Sequence, residues 1–167
     1  MKEDRGELPM VYLKPAELHM TDRPVVVSTV LGSCVSVTMF HPRSKVGAIC
    51  HGLLPRCGAG GRQEQFKFVD SSIRRMLACF DDLRIDRGEI EVKVFGGAEM
   101  HGVIRAKRLQ ASVGRQNVET AIGMIHEEGL RIITSDTGGS RGRKILFFTH
   151  TGNVLLKRLR GKAGGSG

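Results

Sequence analysis

The chain has 167 residues, 40% of them hydrophobic, and a formal net charge of +9. That length suits a single domain able to bury a core without disulfide or metal staples. Met1 to Leu8 is polar and charged, unlike a secretory leader. No apolar run approaches the ~18 residues of a membrane helix, so membrane insertion is not expected. A cytoplasmic setting with reduced thiols follows from these signs.

Along the chain, residues 1–9 read as a loose arm. "MVYL" and "PVVVST" are short segments rich in β-branched residues and are expected to be strands. "CVSVTMF" alternates, "HPRSK" is a turn, and "VGAICHGLL" is the next strand. "PRCGAGGRQEQ" is a Gly-rich loop. Phe66, Val69, Ile73, Met76, Leu77, Phe80 and Leu83 then recur at helical spacing, which predicts a helix near 66–84. "EIEVKVFGG" is a strand running into glycines. "GRQNVETAIGMIHEEG" predicts a helix with Val118, Ile122 and Ile125 on one face and Gly129 as its stop. "LRIITSD", "RKILFFTH" and "NVLLKRL" are three further strands, with "THTGN" as the turn between the last two. Residues 161–167, "GKAGGSG", read as a flexible tail after a single domain over 1–160. The strands do not alternate regularly with helices. The expected class is therefore α+β, with mixed or antiparallel sheet layers of about eight strands and two or three helices.

Four cysteines are present: Cys34, Cys50, Cys57 and Cys79. None of their spacings is Cys-x-x-Cys, and no convergent carboxylate pair is visible, so neither metal nor cofactor is expected. Cys50 and Cys79 sit among apolar neighbours and read as core, whereas Cys57 reads as exposed. His19, His41, His101, His126 and His150 read as solvent-exposed. "FGGAEM" lacks the spacing of a dinucleotide or phosphate loop and reads as a place of close backbone packing.

Cys34 and His51 are different. Let residues 34–40 and 45–51 form an antiparallel hairpin. A four-residue loop, His41 to Ser44, pairs Phe40 with Lys45 and therefore Cys34 with His51. Val35, Val37 and Met39 then share one apolar face with Cys50, Ala48 and Val46. Cys34, Ser36 and Thr38 share the other with His51, Ile49 and Gly47. A one-residue slip would mix polar and apolar groups on both faces, and register follows the cleaner segregation. Directly opposed Cβ atoms lie ~5 Å apart, close enough for thiol and imidazole to meet. Only a few per cent of an ordinary thiol, with a pKa near ~8.5, is thiolate at neutral pH. An imidazole takes the proton and holds the resulting ion pair. The Gly32 turn exposes the sulfur and frees amide N–H groups to face an oxyanion. A hydroxyl from Ser28 or Thr29 is placed to orient the imidazole.

Five segments taken together resemble the CheD family, the chemoreceptor glutamine deamidases of bacterial chemotaxis. They are "LGSCVSV" (31–37), "HGLLP" (51–55), "FGGAEM" (95–100), "VGRQN" (113–117) and "DTGGSRGR" (136–143). The resemblance implies a Cys-His-Thr site, carried by Cys34, His51 and Thr29, with Ser28 as the alternative third member. It implies conversion of receptor glutamines to glutamate through a thioester, and hydrolysis of glutamate methyl esters by the same chemistry. It also implies two partners, the cytoplasmic helices of chemoreceptors and a CheC-type phosphatase as regulator.

The excess positive charge favours acidic partners. One Tyr, seven Phe and no Trp leave no aromatic-basic RNA-binding motif, so nucleic acid is not expected. Arg74, Arg75, Arg105, Lys107, Arg108, Arg141, Arg143 and Lys144 are the candidate basic surface for acidic receptor helices. Two other classes remain open from the residues alone. One is a non-enzymatic basic binding module. The other is a cysteine peptidase or transglutaminase using the same nucleophile.

Overall fold

The computed structural model describes residues 7–57, 66–100 and 112–160. The elements in order are β1 (Met10–Tyr12), β2 (Leu18–Thr21), β3 (Val26–Leu31), β4 (Val35–His41), β5 (Val46–Cys50), α1 (Val69–Asp82), β6 (Glu91–Gly96), α2 (Val113–Glu127), β7 (Ile132–Thr137), β8 (Arg143–Phe148) and β9 (Val154–Arg158). A 3-10 turn at Arg87–Glu89 precedes β6. Four strands form one sheet in the order β1-β3-β8-β9, and five form another in the order β2-β5-β4-β6-β7. Both sheets mix parallel with antiparallel pairs, in keeping with the α+β class.

Alternation in the strands sorts side chains into two cores. Val35, Val37, Met39, Val46, Ala48, Cys50, Val92 and Val94 turn one face of the five-stranded sheet toward the helices. There they meet Val69, Ile73, Met76, Leu77 and Phe80 of α1 and Ala121, Met124 and Ile125 of α2. Ile49 and Phe95, from the opposite face, pack with Val27, Leu31, Ile145 and Phe147 of the four-stranded sheet. The order of layers is thus sheet, sheet, helices. Burying a Leu, Ile, Val or Phe side chain contributes roughly 1.5–3 kcal/mol, so these two cores carry the fold.

Helix boundaries follow local chemistry. Ser112 caps α2 by accepting from Arg115 N–H, and its hydroxyl donates to Glu99. Gly129 ends that helix at φ 73°, as its place in the sequence predicts. The "THTGN" turn also forms, with Gly152 N–H bonded to Phe148 C=O at 2.8 Å.

Several expectations are corrected. The expected count of about eight strands becomes nine among the described residues; the added one is β2, "LHMT", a four-residue edge strand too short to show alternation. His41 is buried rather than exposed, with Nδ1 2.6 Å from Ser44 Oγ and Nε2 3.0 Å from Glu89. His19 and His150 are half-buried, whereas His126 is exposed. Cys79 is only partly buried, because its position lies at the margin of the apolar face of α1. Cys57 is also partly buried, its N–H held by Asp70 at 3.0 Å. Arg143 is not surface charge: it is 3% exposed and bonds Asp136 at 2.7 Å and the carbonyl of Gly138 at 2.7 Å. It ties the "DTGGSRGR" turn to the end of β6 through Gly96 C=O. Arg74, Arg75, Arg141 and Lys144 are exposed. His101, Arg105, Lys107, Arg108, most of the Gly-rich loop and the 161–167 tail lie outside the described residues.

Candidate active site

β4 and β5 do form a hairpin, and its faces segregate as the alternation requires. The register, however, differs by two positions from the expected one. His41 pairs with Val46, Phe40 with Gly47 and Thr38 with Ile49. The reason lies in the turn. Lys45 takes up φ 55°, and its N–H bonds the carbonyl of His41 at 2.8 Å. Ser44 Oγ and Glu89 hold the His41 side chain, so His41 stays in the strand and the loop moves on to Pro42–Lys45. A shift of two preserves each residue's face, so Cys34 and His51 remain on the side turned to the other sheet. They are diagonal rather than directly opposed. The strands part beyond Val35 and Gly52, which exchange two hydrogen bonds of 2.9 Å.

Cys34 sits in the turn between β3 and β4, partly buried against the core between the sheets. β6 ends beneath it. Gly97 N–H donates to Cys34 C=O at 2.8 Å. A Cβ on Gly96, at φ 106°, would stand 2.2 Å from Cys34 C=O. One on Gly97 would stand 2.2 Å from Val118 Cγ2 of α2. The glycines of "FGGAEM" therefore let three backbones converge below the thiol, the close-packing role and not a phosphate cradle. Met100, 51% exposed, lies over Gly32.

His51 is 2% exposed. Its Nδ1 lies 2.7 Å from Thr29 Oγ1, and Thr29 Oγ1 lies 2.8 Å from the carbonyl of Leu13. A carbonyl only accepts, so the single hydroxyl proton of Thr29 goes to Leu13. The hydroxyl must then accept from His51, which puts the imidazole proton on Nδ1 and leaves the Nε2 lone pair free as a base. Thr29 is fully buried on the inner face of β3. Ser28 occupies the adjoining, outward position, and its contact with this region is through its carbonyl, which accepts from Leu13 N–H at 2.8 Å. The structure joins Thr29 to His51 directly, places Cys34 against the core between the two sheets, and leaves the Ser28 side chain on the other face of β3.

Burial decides the charge state. It lowers His51 from 6.5 to about 4, opposed in part by the negative charge of Glu17. It raises the Cys34 thiol above its ordinary value, opposed by the residue's own backbone N–H. Both shifts favour neutral forms, so the resting pair is thiol and imidazole, not the ion pair expected from sequence. Among the described residues no group of three or more His, Cys, Asp or Glu side chains is arranged to hold a metal.

One residue of this site escaped the sequence reading. Asn117 of α2 is fully buried, and its Nδ2 donates to Ser33 C=O at 2.9 Å and to Leu53 C=O at 3.0 Å. In the sequence it stands only as the last letter of "VGRQN". Its one available signal was an amide at a position four before Ala121, within the buried stripe of the helix.

A family model described as CheD chemotactic sensory transduction matches residues 53–158, a span that begins just after His51. Named relatives match over most of the chain. A protein of Geobacter sulfurreducens named "Probable chemoreceptor glutamine deamidase CheD 2" is 51% identical over 153 residues, covering 92% of each chain. The "Probable chemoreceptor glutamine deamidase CheD" of Maridesulfovibrio salexigens is 35% identical, covering 95% of this chain and 97% of its own. The one from Archaeoglobus fulgidus is 31% identical, covering 87% and 90%. Among solved structures, the Bacillus licheniformis hypothetical protein YfiH aligns over 74% of this chain and 50% of its own, at 19% identity and a TM-score of 0.39. The family match and the identity and coverage of these relatives show that the chain belongs to the CheD family.

Proposed function

We propose that this protein is a chemoreceptor glutamine deamidase in which Cys34 is the nucleophile, His51 the general base and acid, and Thr29 the group that orients His51. The observation that carries this reading is the Thr29–His51 hydrogen bond of 2.7 Å. It leaves Nε2 unprotonated on the face shared with Cys34.

Substrate docking displaces water from the pair and brings an amide carbonyl to the sulfur. Cys34 gives its proton to His51 Nε2, and the thiolate attacks the side-chain amide carbon of a glutamine. The C=O bond opens to an oxyanion. His51 returns the proton to the amide nitrogen, the C–N bond breaks, and ammonia leaves a thioester on Cys34. His51 then takes a proton from water, hydroxide adds to the thioester, and collapse releases glutamate and the thiol. The thiol of a neutral resting pair escapes oxidation better than a permanent thiolate, and the proton moves to His51 as the sulfur attacks, when the negative charge passes on to the carbonyl oxygen.

The same acyl transfer acts on a glutamate methyl ester, with methanol in place of ammonia. The exposed Arg74, Arg75, Arg141 and Lys144 favour acidic receptor helices through long-range attraction. A CheC-type phosphatase is the regulatory partner in this proposal, and co-purification of the two proteins tests it.

The deciding experiment incubates the protein with a receptor cytoplasmic fragment and follows ammonia release together with Gln-to-Glu conversion by mass spectrometry. Wild-type protein converts specific glutamines and Cys34→Ala converts none. Turnover persisting in folded Cys34→Ala would remove the nucleophile assignment. Unmodified glutamines with wild-type protein would leave a basic binding module in its place.

A further inference from the structure

Asn117 lies outside the three residues to which the proposed reaction assigns roles, yet it touches both segments that carry the reacting pair. Both of its contacts are backbone carbonyls, which only accept, so the group between them must be the NH2 of the amide. It uses both protons: one on Ser33 C=O at 2.9 Å and one on Leu53 C=O at 3.0 Å. These contacts stand where the β4–β5 ladder has ended: Leu53 is one residue past the Val35–Gly52 bridge and Ser33 two residues before it. The side chain is fully buried, and its Oδ1 has no hydrogen-bond partner among the described residues. A buried amide oxygen left unpaired is unfavourable, and an apolar side chain would avoid it. Something else must account for an asparagine here.

The grip on Ser33 explains it. Ser33 C=O and Cys34 N–H belong to one peptide unit, which is planar and trans, so the two groups point in opposite directions. With the carbonyl anchored toward α2, the N–H is aimed away from α2. Among the described residues it makes no hydrogen bond to another residue; the nearest acceptor is the Cys34 sulfur itself. Cys34 and Gly97 would exchange two bonds in a regular ladder, but only Gly97 N–H to Cys34 C=O is made. Gly97, at φ 68°, directs its own carbonyl to Gly114 at the start of α2. The free N–H lies beside the Cys34 sulfur, its own side chain. An oxyanion on a carbon bonded to that sulfur forms next to it.

We propose that Asn117 is a positioning residue that holds the Ser33–Cys34 peptide so that Cys34 N–H donates to the oxyanion of the tetrahedral intermediate. This rests on the thioester mechanism above. A free oxyanion donor is worth about 100-fold to 1,000-fold in turnover.

The test compares two reactions of the same sulfur in Asn117→Asp and Asn117→Ala. Asparagine-to-aspartate keeps the shape and removes the donors; alanine removes the side chain. Deamidation of a receptor fragment passes through an oxyanion. Alkylation of Cys34 by iodoacetamide is displacement at a saturated carbon and does not. Cys50, 0% exposed, reports folding, since it stays unmodified in folded molecules. Rates are normalised to the Cys50-protected fraction, measured at low temperature, so a destabilised variant still gives an answer. The expected result is a fall in kcat of about 100-fold or more, KM within about threefold, and Cys34 alkylation within about threefold at each pH. Retention of kcat within about threefold would overturn the proposal. So would alkylation falling in parallel with kcat, which is the mark of a merely structural residue. Ammonia release by Cys34→Ala is the separate sign that the mechanism itself is wrong.

Discussion

Replacing Thr29 by valine removes one oxygen and keeps the shape of the side chain. That oxygen holds two buried partners, Leu13 C=O at 2.8 Å and His51 Nδ1 at 2.7 Å. Valine satisfies neither. A buried polar group left without a partner costs about 1–3 kcal/mol, so two of them destabilise the fold by about 2–5 kcal/mol. For a domain of this length that is a fall in Tm of about 5–15 °C. Catalysis suffers as well. Without the hydroxyl, nothing assigns the imidazole proton to Nδ1 or holds the ring angle, and kcat should fall about tenfold to a hundredfold in the folded enzyme. Thr29→Ser keeps both hydrogen bonds and loses a methyl group, costing about 1 kcal/mol with kcat nearly intact. Ser28→Ala, on the outward side of β3, should change stability by less than about 1 kcal/mol and leave turnover unaltered. Thermal unfolding and the receptor-fragment assay on these three variants read out both quantities. Wild-type kcat in Thr29→Val, or a Ser28→Ala defect as large as that of Thr29→Val, would refute the hydrogen-bond argument.

Two further outcomes follow from the same geometry. His51 titrates at about 4 when folded and 6.5 in its unperturbed form. The unfolded chain therefore binds more protons between those values, and this contribution to stability is complete above pH 6.5 and lost as pH falls toward 4. From pH 8 to pH 5 the loss attributable to His51 is about 2 kcal/mol, measured by urea unfolding as the difference between wild type and His51→Gln; equal slopes in the two proteins would disprove it. Gly96→Ala places a methyl 2.2 Å from Cys34 C=O at φ 106°, so it should destabilise by about 3 kcal/mol or more and abolish turnover. Gly123→Ala is its control: with nothing within 4 Å in the middle of α2, it should stabilise by about 0.5–1 kcal/mol. Equal melting temperatures for the two alanine variants would contradict the close approach beneath Cys34.

What could be read from the sequence was what strand and helix periodicity encode. "CVSVTMF" and "VGAIC" alternate, which put Cys50 on a buried apolar face and Cys34 and His51 on the opposite one. The stripe from Val69 to Phe80 likewise defined α1. Order and spacing of five short segments pointed to the family. Register was less accessible, because it depends on where a turn begins. A positive φ at Lys45 and the contacts of His41 with Ser44 and Glu89 moved the pairing by two, and Glu89 is far along the chain.

The remaining decisions belong to the tertiary structure. Thr29 belongs to one sheet and His51 directly follows a strand of the other, 22 residues on, and they meet only because the sheets stack. Alternation said that just one of Ser28 and Thr29 could reach the imidazole; the stacking says which. The charge state of the pair depends on burial, which no local pattern reports. Asn117 reaches Ser33 across 84 residues and Leu53 across 64. A contact of that separation leaves no periodic trace, since periodicity records which face of an element is buried and not which atom it meets there.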